Sequence, residues 1–539
     1  MTGATHEVTN QTPPLGDTDA WARDPWLRAA AARWGAGSGS PIGERASALG
    51  RFVGSEEGRE HARLANRHVP ELRTHDRWGR RIDAVEYHPS YHALMSRAIG
   101  AGVHSLAWKA PRGFAARAVL FYLWNGLEQG TACPVTMTFA SIPIFEHAPE
   151  LARDWRPKVL ADAYDPRPGP LAAKPGVTIG MAMTEKQGGS DLRQVATAAR
   201  RDGDAWRLTG HKWFCSAPMS DGFFTLARRE EGVSCFFVPR SLPDGTRNPF
   251  EIQRLKDKVG NRSNASAEIE YRGTWAWPVG QPGRGIATLI EMAHHTRFDI
   301  VVGVAGMMRS ALDQAMHHAR HRTAFGKPLA GQPLMASVLA DLALEAEAAL
   351  LVAFRLAAAF DASGADERER DLQRLLTPVA KYWLCKRMTP MAVEAMECLG
   401  GNGYVEESPL ARLFREAPLN GIWEGSANVI CLDVLRAIAR SPASLEALRN
   451  EVAQAREPRA TALVERARGM LADPAAAERD ARAIVEALAL AMQAALMKRH
   501  SDAAAAEAFC ASRLGAAHAL GTLEGTADAA GILRRAEWE

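Results

Sequence analysis

One carboxylate in this chain is placed where it could act as a base. Glu424 lies between an indole and a glycine in the run Asn420-Gly-Ile-Trp-Glu-Gly-Ser-Ala-Asn428. A carboxylate partly desolvated by an aromatic neighbour has a raised pKa and can take a proton near neutrality. The glycine that follows permits a tight turn and leaves backbone N–H groups open. Alone, the nine residues also read as a solvated surface turn before a helix, with Ser426 as its cap, since most glutamates are solvated. Gln187-Gly-Gly-Ser-Asp191 could form a nest of N–H groups for a phosphate, or an ordinary turn. It is not GxGxxG, so nicotinamide binding is not implied. In His211-Lys-Trp-Phe-Cys-Ser216 an indole lies on a strand, usually a core position. Arg322 opens Arg322-Thr-Ala-Phe-Gly-Lys-Pro-Leu329; its fork suits a pyrophosphate, or stands as a solvated charge at a helix end.

With Met183-Thr-Glu-Lys-Gln-Gly-Gly-Ser-Asp191 and Leu399-Gly-Gly-Asn-Gly-Tyr404, these stretches resemble the acyl-CoA dehydrogenase flavoprotein family in order and spacing, over residues 80–438. Within it, the length and motif wording are similar to the branch tied to the adaptive response to DNA alkylation. The resemblance implies FAD and a homotetramer built as a dimer of dimers. It gives Met183 and Thr184 to the flavin ring, Gly189 and Ser190 to the pyrophosphate, and Trp213 to the flank of the isoalloxazine. It brings Cys215 and Ser216 to the N5/O4 edge of that ring. Arg322, Phe325 and Gln332 would hold the FAD of a neighbouring subunit, with the Gly400-Gly401 turn at the same site. Trp423, Ser426 and Asn428 would flank the base from the cofactor side, and Trp423 and Arg297 would border the substrate pocket.

The implied reaction is α,β-dehydrogenation of an acyl thioester. Glu424 removes the α-proton and the β-hydride passes to flavin N5, while the glutamate N–H and a ribityl hydroxyl stabilise the developing enolate. Four positions depart from the family pattern. Cys215 stands where many members have threonine, Glu397 where many have glutamine, and Asn264 where a serine is expected in Gly260–Ser266. Trp423 stands where tyrosine or phenylalanine is usual, which narrows the acyl pocket and fits low acyl-CoA turnover. Arg262 reads as structural.

The elements that must position these residues follow from periodicity. The fold class expected is mainly α with a central β-domain. A loose arm and helical domain occupy residues 1–175, with His6–Leu15 similar to a docked arm in the family. Thr136 and Thr138 read as satisfied core hydroxyls. A small antiparallel sheet or barrel occupies 176–285, on short β-rich runs such as Ser234–Val238. A four-helix bundle occupies 286–440, its third helix opening at Pro378 and stopping at Gly400-Gly401. An extra alanine-rich helical domain, 441–539, lies beyond the usual family length.

The chain has 539 residues, a net charge of +3 and seven cysteines. The cysteines are odd in number with no CxxC pair, so a reduced, cytoplasmic chain without structural metal is expected. Neither a signal peptide nor a membrane span of about 18 apolar residues is expected. The 441–539 extension carries 12 Lys and Arg against 14 Asp and Glu, so charge alone does not mark it as a DNA-binding domain. Its clusters Arg466/Arg468 and Lys498/Arg499, with Arg436 and Arg440 at the seam, are the candidate contacts to double-stranded DNA. Two functions therefore stand side by side, with a flavin-bound relic whose extension only stabilises a tetramer as the blander third. One is an acyl-CoA dehydrogenase-like oxidoreductase, with electron-transfer flavoprotein a candidate acceptor. The other is a DNA-binding flavoprotein of the alkylation response with little or no dehydrogenase activity.

Overall fold

The computed structural model describes residues 5–35, 42–515 and 528–536, so most of the Trp34–Gly43 patch lies outside it. The chain divides into two compact units, 57–299 and 1–56 with 300–539, and the boundary falls inside the Gly285–His321 helix. No helix among the described residues is long and apolar enough to cross a membrane.

In the 57–299 unit, the stretch expected to be all helical contains a hairpin, β1 (Glu71–His75) and β2 (Arg81–Glu86). The turn Asp76-Arg-Trp-Gly79 makes it: the Asp76 carboxylate accepts from the Trp78 and Arg80 N–H groups, and Gly79 takes φ +79°. This Asx-type turn was the available signal. The helices Gly113–Leu127 and Ala132–Ala140 are buried almost throughout. Between them and residue 299 lies a fully buried ion pair, Arg117 with Asp299, whose other oxygen accepts from Thr136 Oγ1 at 2.7 Å. Thr138 Oγ1 donates to the Pro134 carbonyl and accepts from the Ile179 N–H. Both threonines are thus satisfied within the core.

The sheet contains β3 (Ile179–Ala182), β4 (Ala198–Asp202), β5 (Ala205–Ser216), β6 (Gly222–Arg229), β7 (Gly232–Pro239), β8 (Phe250–Leu255) and β9 (Ser266–Val279). Its order is β3-β6-β4-β5-β9-β7, and β7 pairs back with β6, closing a small barrel. β3 and β4 run parallel to β6, so the barrel is mixed rather than purely antiparallel. The loops that return β3 and β4 to the same edge of β6 require it. Phe223, Phe236, Phe250 and Ile269 fill the interior.

The other unit is helical. Helix Pro333–Ala362 is buried over most of its length and apolar nearly all round, as a central helix must be. The next helix spans Glu367–Cys398, with Pro378 in its interior and not at its start. Asp366 is the stronger start signal: its carboxylate accepts from the Arg368 N–H at 2.8 Å. Pro378 costs one backbone bond inside the helix, and burial of its face offsets that. Helices Pro409–Asn420 and Ala427–Arg440 follow. In the extension, helix Ala481–His500 packs on Pro333–Ala362, Glu367–Cys398 and Ala427–Arg440, so the extension shares one core with the bundle.

Candidate functional site

The Glu424 turn is built by opposed constraints. Helix Pro409–Asn420 ends as the Trp423 N–H donates back to the Leu419 carbonyl at 3.1 Å. Trp423 is half-buried, and its indole N–H donates to Asn420 Oδ1 at 3.3 Å. Glu424 then adopts φ +56° and Gly425 φ +106°. A left-handed non-glycine residue costs about 1–3 kcal/mol and persists only where its surroundings fix it. One such fixture is Lys381, 1% exposed, whose ammonium donates to the Gly425 carbonyl at 2.6 Å. Glu424 is half-buried and its Oε2 is screened from solvent. Ser426 occupies the N-cap position of Ala427–Arg440, but its side chain makes no capping bond and is exposed. Asn428 Oδ1 accepts from Arg482 Nε at 2.9 Å, tying the Glu424 segment to the extension.

Arg322, Phe325 and Gln332 gather around a miniature hairpin, β10 (Thr323–Ala324) and β11 (Lys327–Pro328). Gln332 Nε2 donates to the Ala324 carbonyl at 2.9 Å. The tip residue Phe325 takes φ +51° and is 97% exposed. The N-terminal arm docks here on its own chain. Arg322 donates to the Asn10 carbonyl at 2.6 Å, and Thr323 N–H donates to Asn10 Oδ1 at 2.8 Å. Gly400, at φ +58° and ψ −142°, turns the chain into the short Gly401–Tyr404 helix, and Tyr404 is 78% exposed.

In the barrel unit, the Trp213 N–H donates to the Thr184 carbonyl at 2.7 Å, drawing the Met183–Thr184 and Trp213–Ser216 segments together. Beneath them lies an ion pair that the sequence reading passed over, although both partners stand inside motifs it singled out. Glu185 and Lys212 are both fully buried and meet at 2.7 Å. Glu185 also accepts from the Thr197 hydroxyl and the Ala196 N–H, and Lys212 donates to the Leu226 carbonyl. Burial lifts the Glu185 carboxyl, but Lys212 and these donors outweigh it and hold the pKa down at about 2. Burial lowers the Lys212 ammonium to about 8 against the pull of Glu185.

The loop above approaches closely. A Cβ on Gly189 would sit 2.3 Å from Thr184 Oγ1, and Gly188 takes φ +139°. Ser190 is exposed, and Ser216 Oγ lies 3.3 Å from Ser266 Oγ. The Trp213 indole is half-buried, with Lys256 Nζ 3.2 Å from its ring centroid. The Cys215 thiol instead lies inside the barrel, fully buried, and burial pushes its pKa up to about 12. Its side chain is barrel core here. Arg262 is exposed and donates to the Lys258 carbonyl. Asn264 is buried against Asn261. Arg297 is half-buried on the Gly285–His321 helix.

The cationic candidates separate into two groups. Lys498 pairs with Glu507 at 2.6 Å, and Arg499 with Glu451 at 2.5 Å. Arg468 lies 3.9 Å from Glu465, while Arg466 is exposed. Arg436 and Arg440 are exposed one turn apart on Ala427–Arg440, without an ionic partner among the described residues.

Three family models match the chain in succession between residues 10 and 439. They are the adaptive response protein AidB N-terminal domain over residues 10–166, the acyl-CoA dehydrogenase middle domain over 180–274 and its C-terminal domain over 283–439. AidB of Escherichia coli (strain K12) is 47% identical over 439 residues, 80% of each chain. Caenorhabditis elegans ACDH-11, solved in complex with C11-CoA, superposes at a TM-score of 0.85 with 26% identity over 96% of each chain. An acyl-CoA dehydrogenase of Bacillus anthracis, solved with FAD, superposes at 0.65 over 79% of this chain and 81% of its own; at 16% identity it shares the fold alone.

Proposed function

Because the chain belongs to the acyl-CoA dehydrogenase family, in its AidB-type branch, we propose that it is an FAD-dependent oxidoreductase of CH–CH groups in which Glu424 is the base. The observation that carries this reading is the Glu424 turn: a left-handed backbone, a screened carboxylate oxygen and a buried lysine anchoring the next carbonyl. FAD is the family's cofactor, and the barrel residues fit it. A glycine loop with open backbone, a half-buried indole and the neighbouring cation Lys256 suit a planar ring and a phosphate. Trp213, Thr184 and Met183 would hold the ring, and Gly189 and Ser190 the pyrophosphate; Arg322, Phe325, Gln332, Gly400 and Gly401 would serve a second copy's cofactor. When bound, FAD supplies the hydride acceptor.

Glu424 works as base by taking the proton α to a thioester carbonyl onto a carboxylate oxygen already screened from water. Its fixed backbone spares the turn from reorganising at that step. Trp423 limits the room beside the base and favours compact acyl groups. The test is anaerobic titration of the yellow protein with short, branched and long acyl-CoA thioesters. The expected result is bleaching by at least one thioester, with the rate reduced about 10²–10⁴-fold in Glu424→Gln. An unchanged spectrum across the panel would remove the reading.

A second reading, contact with double-stranded DNA, is favoured by Arg436 and Arg440, exposed on one helix face without carboxylate partners among the described residues. Lys498 and Arg499 are each paired with a carboxylate of their own chain. Retardation of duplex DNA at low salt, weakened by Arg436→Glu/Arg440→Glu, is the expected result.

A further inference from the structure

A cavity of about 470 Å³ lies wholly within the 57–299 unit, and no residue given above to acyl or flavin chemistry lines it. Its size falls in the range of small-molecule sites. One wall is aromatic. Tyr87 and Tyr91 stack with ring centroids 4.1 Å apart, and the Tyr164 hydroxyl is hydrogen-bonded with His92 Nδ1 at 2.9 Å. Exposed Pro166 and Pro168 mark its mouth, and Ser220 and Asp221, from the loop between β5 and β6, line it deeper in.

The charges around it are matched. Glu86 pairs with Arg73, Asp165 with Arg167 at 2.8 Å, and Asp221 with Lys174 at 3.0 Å. Burial lowers the pKa of His92 and disfavours its charged form. Each lining carboxylate thus has a cation of its own, and the tyrosine faces favour a ring. One polar group is left over. Ser220 is 3% exposed, and its hydroxyl has no hydrogen-bond partner among the described residues. A buried unmatched hydroxyl destabilises a fold, so its presence calls for a reason.

We infer that this cavity is a binding site for a neutral, ring-bearing small molecule whose polar substituent hydrogen-bonds to the Ser220 hydroxyl. The ring can arrive as a free aromatic compound or as the aryl end of an acyl thioester. Isothermal titration of the full-length holoprotein with indole, 4-propylphenol and benzamide, and separately with 3-phenylpropanoyl-CoA, distinguishes the two. The expected result is saturable binding of at least one probe, weakened about tenfold by Ser220→Ala and blocked by Pro168→Trp, a substitution at the exposed rim that leaves the core untouched. Binding of the free rings assigns a free ligand; Ser220-dependent binding of the thioester alone assigns the aryl end. No binding by any probe, or binding unchanged in both variants, overturns the inference.

Discussion

Glu424 keeps a backbone conformation that most residues avoid, and its neighbours fix it there. The same physics applies to Glu185, whose carboxylate anchors the loop above it through Lys212, Thr197 and Ala196. Glu185→Gln leaves Lys212 buried without its counter-charge, and breaking a buried pair from one side costs about 3–5 kcal/mol. The expected outcome is a lower melting temperature and weaker retention of FAD, measured by thermal unfolding and by flavin fluorescence of the filtrate. The pH dependence follows from the sign of the shift. The folded-state pKa of Glu185, about 2, lies below its ordinary value. Its stabilisation is therefore present above about pH 4.5 and is lost as pH falls through about 2. The stability gap between wild type and Glu185→Gln should close over that window, while a gap constant down to pH 2 would contradict the assignment.

Two helices set the turn of the proposed base. Ala427–Arg440 starts directly after the Glu424 turn, and Glu367–Cys398 delivers Lys381 to the Gly425 carbonyl. A buried hydrogen bond from a charged donor contributes about 1.5–3 kcal/mol. Lys381→Met should therefore release the turn: thioester-dependent bleaching slows, while FAD content and helical circular dichroism stay near wild type. A third helix, Pro333–Ala362, carries Asp341 and Glu345 in the core, both paired with Arg513 from the extension, at 2.6 and 3.1 Å. Arg513→Ala leaves two buried carboxylates short of a partner, Arg387 still holding Glu345. Destabilisation of about 3–5 kcal/mol, read by denaturant unfolding, is expected. Loss below 1 kcal/mol would mean that the extension is a loosely attached appendage.

At the scale of the whole molecule, Phe325, Leu334, Tyr404 and Ile422 are 97%, 81%, 78% and 65% exposed. Exposed aromatic and aliphatic groups in or next to the expected cofactor-sharing segments and the Glu424 turn are what a second copy of the chain would cover. Light scattering should give the mass of four chains, and Phe325→Glu should lower both that mass and the FAD content. Duplex binding, if carried by Arg436 and Arg440, should lose about 0.9 in salt slope for each phosphate contact removed. Reversal of Lys498 and Arg499 should unfold part of the extension before it touches DNA affinity, because both residues hold carboxylates of their own chain.

The residue types and their order determined the family and singled out Glu424 as the candidate base, because chemistry-bearing motifs and hydrophobic periods are local properties of a chain. The Asp76–Gly79 hairpin was local too, but its turn was read through as helix. Only the tertiary structure decided the rest. Pro378 lies mid-helix because a better cap upstream and burial of the helix face outweigh one lost backbone bond. The thiol of Cys215 points into the barrel, and Glu185 finds Lys212 only once their segments are hydrogen-bonded side by side. The basic clusters of the extension and of the seam before it look alike in sequence. Those at 498–499 neutralise buried or neighbouring carboxylates, while those at 436 and 440 stay open to solvent. Which of two identical charges is available to a partner depends on what lies across from it in space, and spacing along the chain does not carry that.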